Sequence, residues 1–242
     1  MKAVLLVGGL GTRLRSVVPS VPKPLASVGN RPFLELLVRQ LQCQGIVRLV
    51  MCTGYLAEQI EGEFGDGRSL GVQIEYSQEP APLGTAGAVK LAQRFLQETS
   101  DFLVLNGDSF VEVDFERLLQ FHRGHRGLAS LAVVPVPNAQ RYGTVQVETG
   151  GRVKGFAEKA ASSLPGLVNA GVYMFRPEIF KHIPEGPASL EKDVFPEILG
   201  QGIFALQQDG MFIDIGTPED YARAQEIRQR LGDAALQKQQ GD

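Results

Sequence analysis

A chain of 242 residues, 43% hydrophobic and 21% charged, has an ordinary globular composition and can bury a core without disulfides. Its formal net charge of −3 excludes the basic surface that grips nucleic acid non-specifically, though not a small polyanion held by a few local cations. No run approaches the roughly 18 apolar residues of a membrane-crossing helix, and the apolar stretch before Gly8 is too short for a signal peptide, so we expect a cytoplasmic protein with no nucleic-acid or membrane partner.

The N-terminal half alternates short apolar runs with helix-periodic segments. Residues 3–7, 48–53, 72–76 and 102–105 are apolar at consecutive positions, as in strands buried on both faces. Leu34, Leu37, Val38 and Leu41 share one helix face, as do Ala88, Leu91, Ala92 and Phe95. Strands alternating with helices predict βαβ units. After residue 128 the pattern changes to strands at 130–136, 143–147, 152–157 and 167–175, with a hairpin turn at Gly150-Gly151. Helix signals return at 189–199 and 217–231. The latter starts with Thr217 as N-cap, Pro218 at the first helical position, and Glu219 and Asp220 in the first turn.

The expected fold is α/β. It comprises a Rossmann-like, mostly parallel mixed sheet with helices on both faces and a small antiparallel lobe. It forms one domain over 1–242, divided into a half at about 1–127, a second at about 128–216, the helix 217–231 and a polar tail 232–242. Cys43 and Cys52 lack the spacing of a redox pair or zinc site and read as reduced, buried thiols. His122, His125 and His182 are expected to be exposed.

Residues 8–24 read GGLGTRLRSVVPSVPKP. A glycine-rich turn after a buried strand aims backbone N–H groups at phosphate. A Walker loop would end in Gly-Lys-Ser/Thr, but here Gly11 precedes Thr12 and Arg13. A dinucleotide loop would carry a glycine at the position of Leu14 and an acid at the end of the second strand, where Thr53-Gly54-Tyr55 stands. Lys23 lies between two prolines that stiffen the backbone around it. Arg13 and Lys23 together supply two cations, a set suited to a triphosphate or pyrophosphate.

The strand at 102–105 runs into Asn106-Gly107-Asp108, at the end where open α/β sheets bind ligands. Residues 211–214 repeat that pattern and end in Asp214. Two such carboxylates with substrate phosphates suit Mg2+. Asn169 has poor strand propensity and requires a bulge or a ligand contact, while Glu158-Lys159 alone reads as a surface pair. Neither a zinc spacing nor a Gly-x-Ser-x-Gly elbow is present.

In chain order stand GGLGTRL (8–14), PKP (22–24), LGTAGA (83–88), GD (107–108), EK (158–159), NAGVY (169–173) and DIGT (214–217). This ordered set resembles the sugar-1-phosphate nucleotidyltransferases, or nucleotide-sugar pyrophosphorylases, over roughly residues 2–231. Within that family LRSVV (14–18), RYGTV (141–145) and SLEK (189–192) are most similar to D-glycero-α-D-manno-heptose 1-phosphate guanylyltransferases. Ser16 stands where many members carry proline. Mannose-1-phosphate guanylyltransferases and N-acetylmuramate-1-phosphate uridylyltransferases share most of the pattern, and a non-catalytic nucleotide-sugar sensor is the alternative from another class.

The resemblance implies transfer of a nucleoside monophosphate, from GTP first among the triphosphates, to a sugar 1-phosphate with Mg2+ as cofactor. By the same resemblance Gly8, Gly9, Gly11 and Thr12 would hold the nucleotide phosphates through their amides. Arg13 and Lys23 would neutralise the α-phosphate and the leaving pyrophosphate. Glu79, Gly84 and Thr85 would face the base, Asp108 and Asp214 would hold the metal, and Gly143, Glu158, Lys159 and Asn169 would contact the sugar phosphate. Members of the family are often homo-oligomers.

Overall fold

The structure is a computed structural model that describes residues 1–157 and 164–236. In chain order the strands are β1 (Lys2–Leu6), β2 (Ser27–Val28), β3 (Arg31–Pro32), β4 (Arg48–Thr53), β5 (Gln73–Gln78), β6 (Phe102–Asn106), β7 (Ser109–Val111), β8 (Ala129–Val136), β9 (Thr144–Val147), β10 (Val153–Ala157), β11 (Gly166–Phe175), β12 (Ile203–Gln207) and β13 (Phe212–Asp214). The α-helices are α1 (Phe33–Cys43), α2 (Ala57–Phe64), α3 (Gly84–Leu91), α4 (Phe115–Gly124), α5 (Phe195–Ile198), α6 (Pro218–Glu226) and α7 (Arg228–Leu236).

Among the described residues nine strands form one sheet in which the order β6-β1-β4-β5 is parallel throughout. β11 joins β6 antiparallel and carries β8 and β9 on its other edge; β12 pairs parallel with β8, and the β9–β10 hairpin supplies the small antiparallel lobe. Consecutive buried side chains on β1 serve opposite faces of the sheet. Ala3 and Leu5 pack with Leu34, Leu37, Leu41 and Leu118, while Val4 packs with Val89, Ala92 and Phe195. Two-faced burial is therefore the reason these strands read as unbroken apolar runs. The mixed α/β architecture matches the expectation from sequence.

Several local expectations are corrected. The segment 189–199 is not one helix. A π-turn at Leu190–Val194 leads into α5 and then a 3-10 turn at Leu199–Gln201, because Pro196 supplies no N–H to an α-helical ladder. The last helix continues beyond Leu231 and is split at Ile227 into α6 and α7, because Ala234 and Ala235 extend the buried face. Residues 237–242 lie outside the described residues. Cys52 is buried, but Cys43, at the end of α1, is only half-buried.

The histidines also depart from expectation. His125 and His182 are half-buried, His125 being stacked on Phe204 at 4.0 Å. His122 is fully buried; its Nδ1 lies 2.9 Å from Ser130 Oγ, and its Nε2 lies 3.6 Å from Asp101 Oδ1. Burial lowers its pKa from 6.5 to about 4 despite the opposing pull of Asp101.

The unfolded chain binds a proton at His122 before the folded one does. Stability is therefore fully expressed above about pH 6.5 and declines as pH falls towards 4, by about 3 kcal/mol at most. Urea melts of wild type and His122→Gln across this window should show a steeper pH dependence in wild type. Identical slopes would contradict a neutral buried imidazole.

Candidate active site

The strand order reverses between β1 and β6, since the chain leaves β1 towards β4 and β5 and returns on the other side at β6. Such a reversal opens a crevice beyond the carboxyl ends of the two strands. The glycine-rich loop leaves β1 there, and Asp108 follows β6. The Gly107 amide donates to the Leu6 carbonyl at 2.9 Å and so ties the two exits together.

Gly8 occupies a position without room for a side chain. An added Cβ would lie 2.6 Å from Glu79 Oε1 and 3.2 Å from the Gly54 amide nitrogen. Gly9, by contrast, faces open space. Leu14 anchors the loop in the core, with its amide donating to the Gly11 carbonyl at 3.0 Å. No α-helix follows directly: the chain turns through residues 12–17 and α1 begins only at Phe33. The loop therefore presents local amides and cations rather than a helix end.

Lys23 begins a 3-10 turn, Lys23–Leu25, with Pro22 as its cap and Pro24 buried beneath it. Its ammonium contacts Asp108 Oδ2 at 2.6 Å and Asp214 Oδ1 at 3.5 Å, with the lysine side chain only 9% exposed. A two-stranded ribbon brings the carboxylates together, since β13 pairs antiparallel with β7 so that Asp214 faces Ser109. The Ile215 amide adds a bond to the Asp108 carbonyl at 3.0 Å. Burial first, and the neighbouring Asp108 charge second, raise the Asp214 carboxyl above its ordinary value against the pull of Lys23. Asp214 Oδ1 is buried and makes no hydrogen bond. That atom, beside a second carboxylate and 3.5 Å from the Lys23 ammonium, fits a cation. Among the described residues no group of three or more His, Cys, Asp or Glu could hold a metal. A Mg2+ ion here would need phosphate oxygens to complete its shell.

A recess of about 300 Å³ is lined by Gly9, Gly11, Thr12, Arg13, Lys23 and Asp108. Arg13 is exposed, and no hydrogen bond or ion pair engages it among the described residues. An adjoining recess of about 280 Å³ carries Gly8, Glu79, Gly84, Thr85 and Asn106. Glu79 Oε2 accepts the Leu83 amide at 2.8 Å, and burial raises its pKa against that bond. Gly84 has φ +71° and would collide with the Ala188 carbonyl if it bore a Cβ. The Thr85 hydroxyl is already engaged: it donates to Glu191 Oε2 at 3.0 Å and accepts the Leu190 amide at 2.8 Å.

A larger cleft of about 720 Å³ opens on the lobe side and includes Tyr142, Gly143, Asn169, Glu191 and Lys192. Asn169 sits at a register shift in β11 and is also a bulge residue; its Oδ1 accepts the Gly171 amide and its Nδ2 donates to Tyr173 OH at 2.8 Å. Phe156 and Ala157, at the end of β10, line the same cleft. Glu158 and Lys159, next along the chain, lie outside the described residues. Arg141 joins the lobe to the start of α6, donating to Asp220 Oδ2 and Thr217 Oγ1 at 2.7 Å each.

The nucleotidyl transferase family profile matches residues 2–230. The chain belongs to the nucleotidyl transferase family. It is 38% identical to mannose-1-phosphate guanyltransferase beta-B of Xenopus laevis over 225 residues, covering 91% of this chain and 62% of that protein. It is likewise 38% identical to the mannose-1-phosphate guanylyltransferase catalytic subunit beta of Drosophila melanogaster, covering 91% of this chain and 60% of that one. The chain thus spans about three-fifths of the length of these curated relatives. Among solved structures, HddC from Yersinia pseudotuberculosis complexed with GMP-PN superposes with a TM-score of 0.84 at 32% identity, covering 94% of this chain and 99% of that one.

For a nucleotidyl transferase the geometry adds residues to which the sequence reading assigned no role. Asn106 lines the recess beside Glu79, and its Oδ1 is buried without a partner. A polar residue ending an apolar strand just before Gly107-Asp108 was the signal for it. Arg141, Tyr142, Glu191 and Lys192 lie in motifs used only for subfamily resemblance. Their roles depend on long-range contacts that spacing does not reveal.

The crowding at Gly8 yields a direct test. Gly8→Ala should destabilise the nucleotidyl transferase by about 1–3 kcal/mol through overpacking against Glu79 and Gly54, whereas Gly9→Ala should stay within about 0.5 kcal/mol. Equal denaturation midpoints for the two variants would contradict the packing described.

Proposed function

We propose that this protein transfers GMP from GTP to a sugar 1-phosphate of the D-manno series, D-glycero-α-D-manno-heptose 1-phosphate first and mannose 1-phosphate as the alternative. The products are a GDP-sugar and pyrophosphate. The observation that carries the reading is the convergence of Lys23, Asp108 and Asp214 at the mouth of the glycine-rich loop. Guanine is favoured by Glu79, whose carboxylate can accept from the two donor groups on guanine's pairing edge, and by the guanylyltransferase relatives. The sugar is favoured by Tyr142, Gly143, Glu191 and Lys192, which belong to the heptose-type motifs and line the larger cleft.

In this reading the amides of Gly8, Gly9, Gly11 and Thr12 hold the triphosphate. Glu79, Gly84 and Thr85 form the base side, Thr85 by supporting Glu191 and the 188–191 turn. Gly143, Asn169, Glu158 and Lys159 receive the sugar phosphate. One phosphate oxygen of the sugar 1-phosphate forms a bond to the α-phosphorus of GTP in line with the α–β bridging oxygen. That P–O bond breaks and pyrophosphate leaves with its electron pair. The attacking phosphate is already ionised near neutral pH, so no general base is needed. Lys23 and Arg13 offset the charge as two anions approach. Asp108 and Asp214 would hold Mg2+, which supplies further neutralisation of the phosphates when bound. A reaction that draws on GTP and a sugar phosphate suits a cytoplasmic setting.

Pyrophosphate release measured with each nucleoside triphosphate against both sugar phosphates tests the assignment. We expect release with GTP and a D-manno sugar; release with UTP alone would overturn the guanylyl reading. Lys23→Ala and Asp108→Ala should each lower turnover by about 100-fold or more, as removal of a charge-stabilising group does. Near-normal rates in both would remove them from the reaction.

A further inference from the structure

We propose that Glu191 is a specificity-determining residue: a fixed carboxylate that accepts a hydrogen bond from a ring hydroxyl of the sugar. The inference rests on the sugar-phosphate reading of the larger cleft, which Glu191 lines.

Its Oε1 receives Tyr173 OH at 3.0 Å, and its Oε2 receives Thr85 Oγ1 at 3.0 Å and Ser189 Oγ at 2.8 Å. Each hydroxyl has one proton, and each also accepts a bond from elsewhere. Tyr173 accepts from Asn169 Nδ2 at 2.8 Å, Thr85 from the Leu190 amide at 2.8 Å, and Ser189 from the Lys192 amide at 3.2 Å. Those incoming donors orient the three hydroxyl protons towards Glu191.

The carboxylate is thereby held by three elements and can act only as an acceptor. An ionised carboxylate has about four lone-pair sites, so one remains for a donor from the cleft. A sugar hydroxyl is such a donor. Beside it, Asn169 Nδ2 has a second N–H beyond the one given to Tyr173, available to a hydroxyl oxygen. An acceptor and a donor side by side recognise a hydroxyl's position on the ring. A site built to hydrogen-bond a substrate hydroxyl rejects analogues lacking it more strongly than an apolar pocket can.

The test is a cycle between enzyme and substrate. kcat/KM is measured with the sugar 1-phosphate and its singly deoxygenated analogues, for wild type and Glu191→Gln. The wild type should lose at least about tenfold on one analogue. Glu191→Gln should lose a similar factor on the parent sugar, mainly in KM, and show no further loss on that analogue. If wild type and variant lose the same factor on every analogue, Glu191 reads no hydroxyl. A wild type indifferent to every deoxygenation overturns the inference without a variant. Should Glu191→Gln not fold, Ser189→Ala removes one donor that fixes the carboxylate and should weaken preference for the same hydroxyl; an unchanged preference would count against it. A wild type that transfers nucleotide to no sugar phosphate sinks the underlying reading of the site, an outcome distinct from active enzymes with parallel losses.

Discussion

The contact between Lys23 and the paired carboxylates of Asp108 and Asp214 is the constraint on which the site depends. A nearly buried ammonium is costly unless it is paired, and the half-buried aspartates gain from that pairing. Each therefore requires the other, and the fold supplies both from distant parts of the chain. The two prolines hold the lysine in a 3-10 turn, while the β7–β13 ribbon fixes Asp214 opposite Ser109. Two carboxylates around one ammonium leave a negative balance, which in the proposed reaction would let an acidic protein present both a cation for phosphate and a place for a divalent metal.

The second organising feature is the polar bridge between the two sides of the crevice. The start of α3, carrying Gly84 and Thr85, is bonded to residues 188–191, since Ala86 N–H donates to the Ala188 carbonyl at 2.9 Å and Ala188 N–H to that of Leu83 at 2.8 Å. Glu191 continues the connection through Tyr173 to Asn169. The two sides of the crevice are therefore built from one bonded unit. Arg141 joins the lobe to the start of α6, which follows closely after Asp214. In the proposed reaction these connections would hold the two anions in a common frame, the condition for catalysis by positioning.

Much of this was legible in the sequence, for identifiable reasons. Strands buried on both faces advertise themselves as apolar runs, so β1, β4, β6 and β8 were found within a residue or so. The glycine-rich loop and the two aspartates stood out because each follows or ends an apolar run, and Lys23 because two prolines stiffen the backbone around it. β12 escaped notice because Ile203–Gln207 is one short run with no periodic context. The π-turn at Leu190–Val194 escaped because helical spacing does not distinguish helix types. His122 was misjudged because its partners, Asp101 and Ser130, come from other elements. Glu191 and Arg141 carried no local signal of function, since their meaning lies in which hydroxyls and carboxylates the fold sets beside them.

The central claim is that two anions meet in this crevice and exchange a phosphorus–oxygen bond at the α-position. Following label from GTP carrying 32P at either the α- or the γ-phosphate, with sugar 1-phosphate as acceptor, tests it most directly. The account predicts α-label in the sugar nucleotide and γ-label in pyrophosphate, in equal amounts. Label from the γ-position in the sugar product or in inorganic phosphate, with none transferred from the α-position, would contradict it.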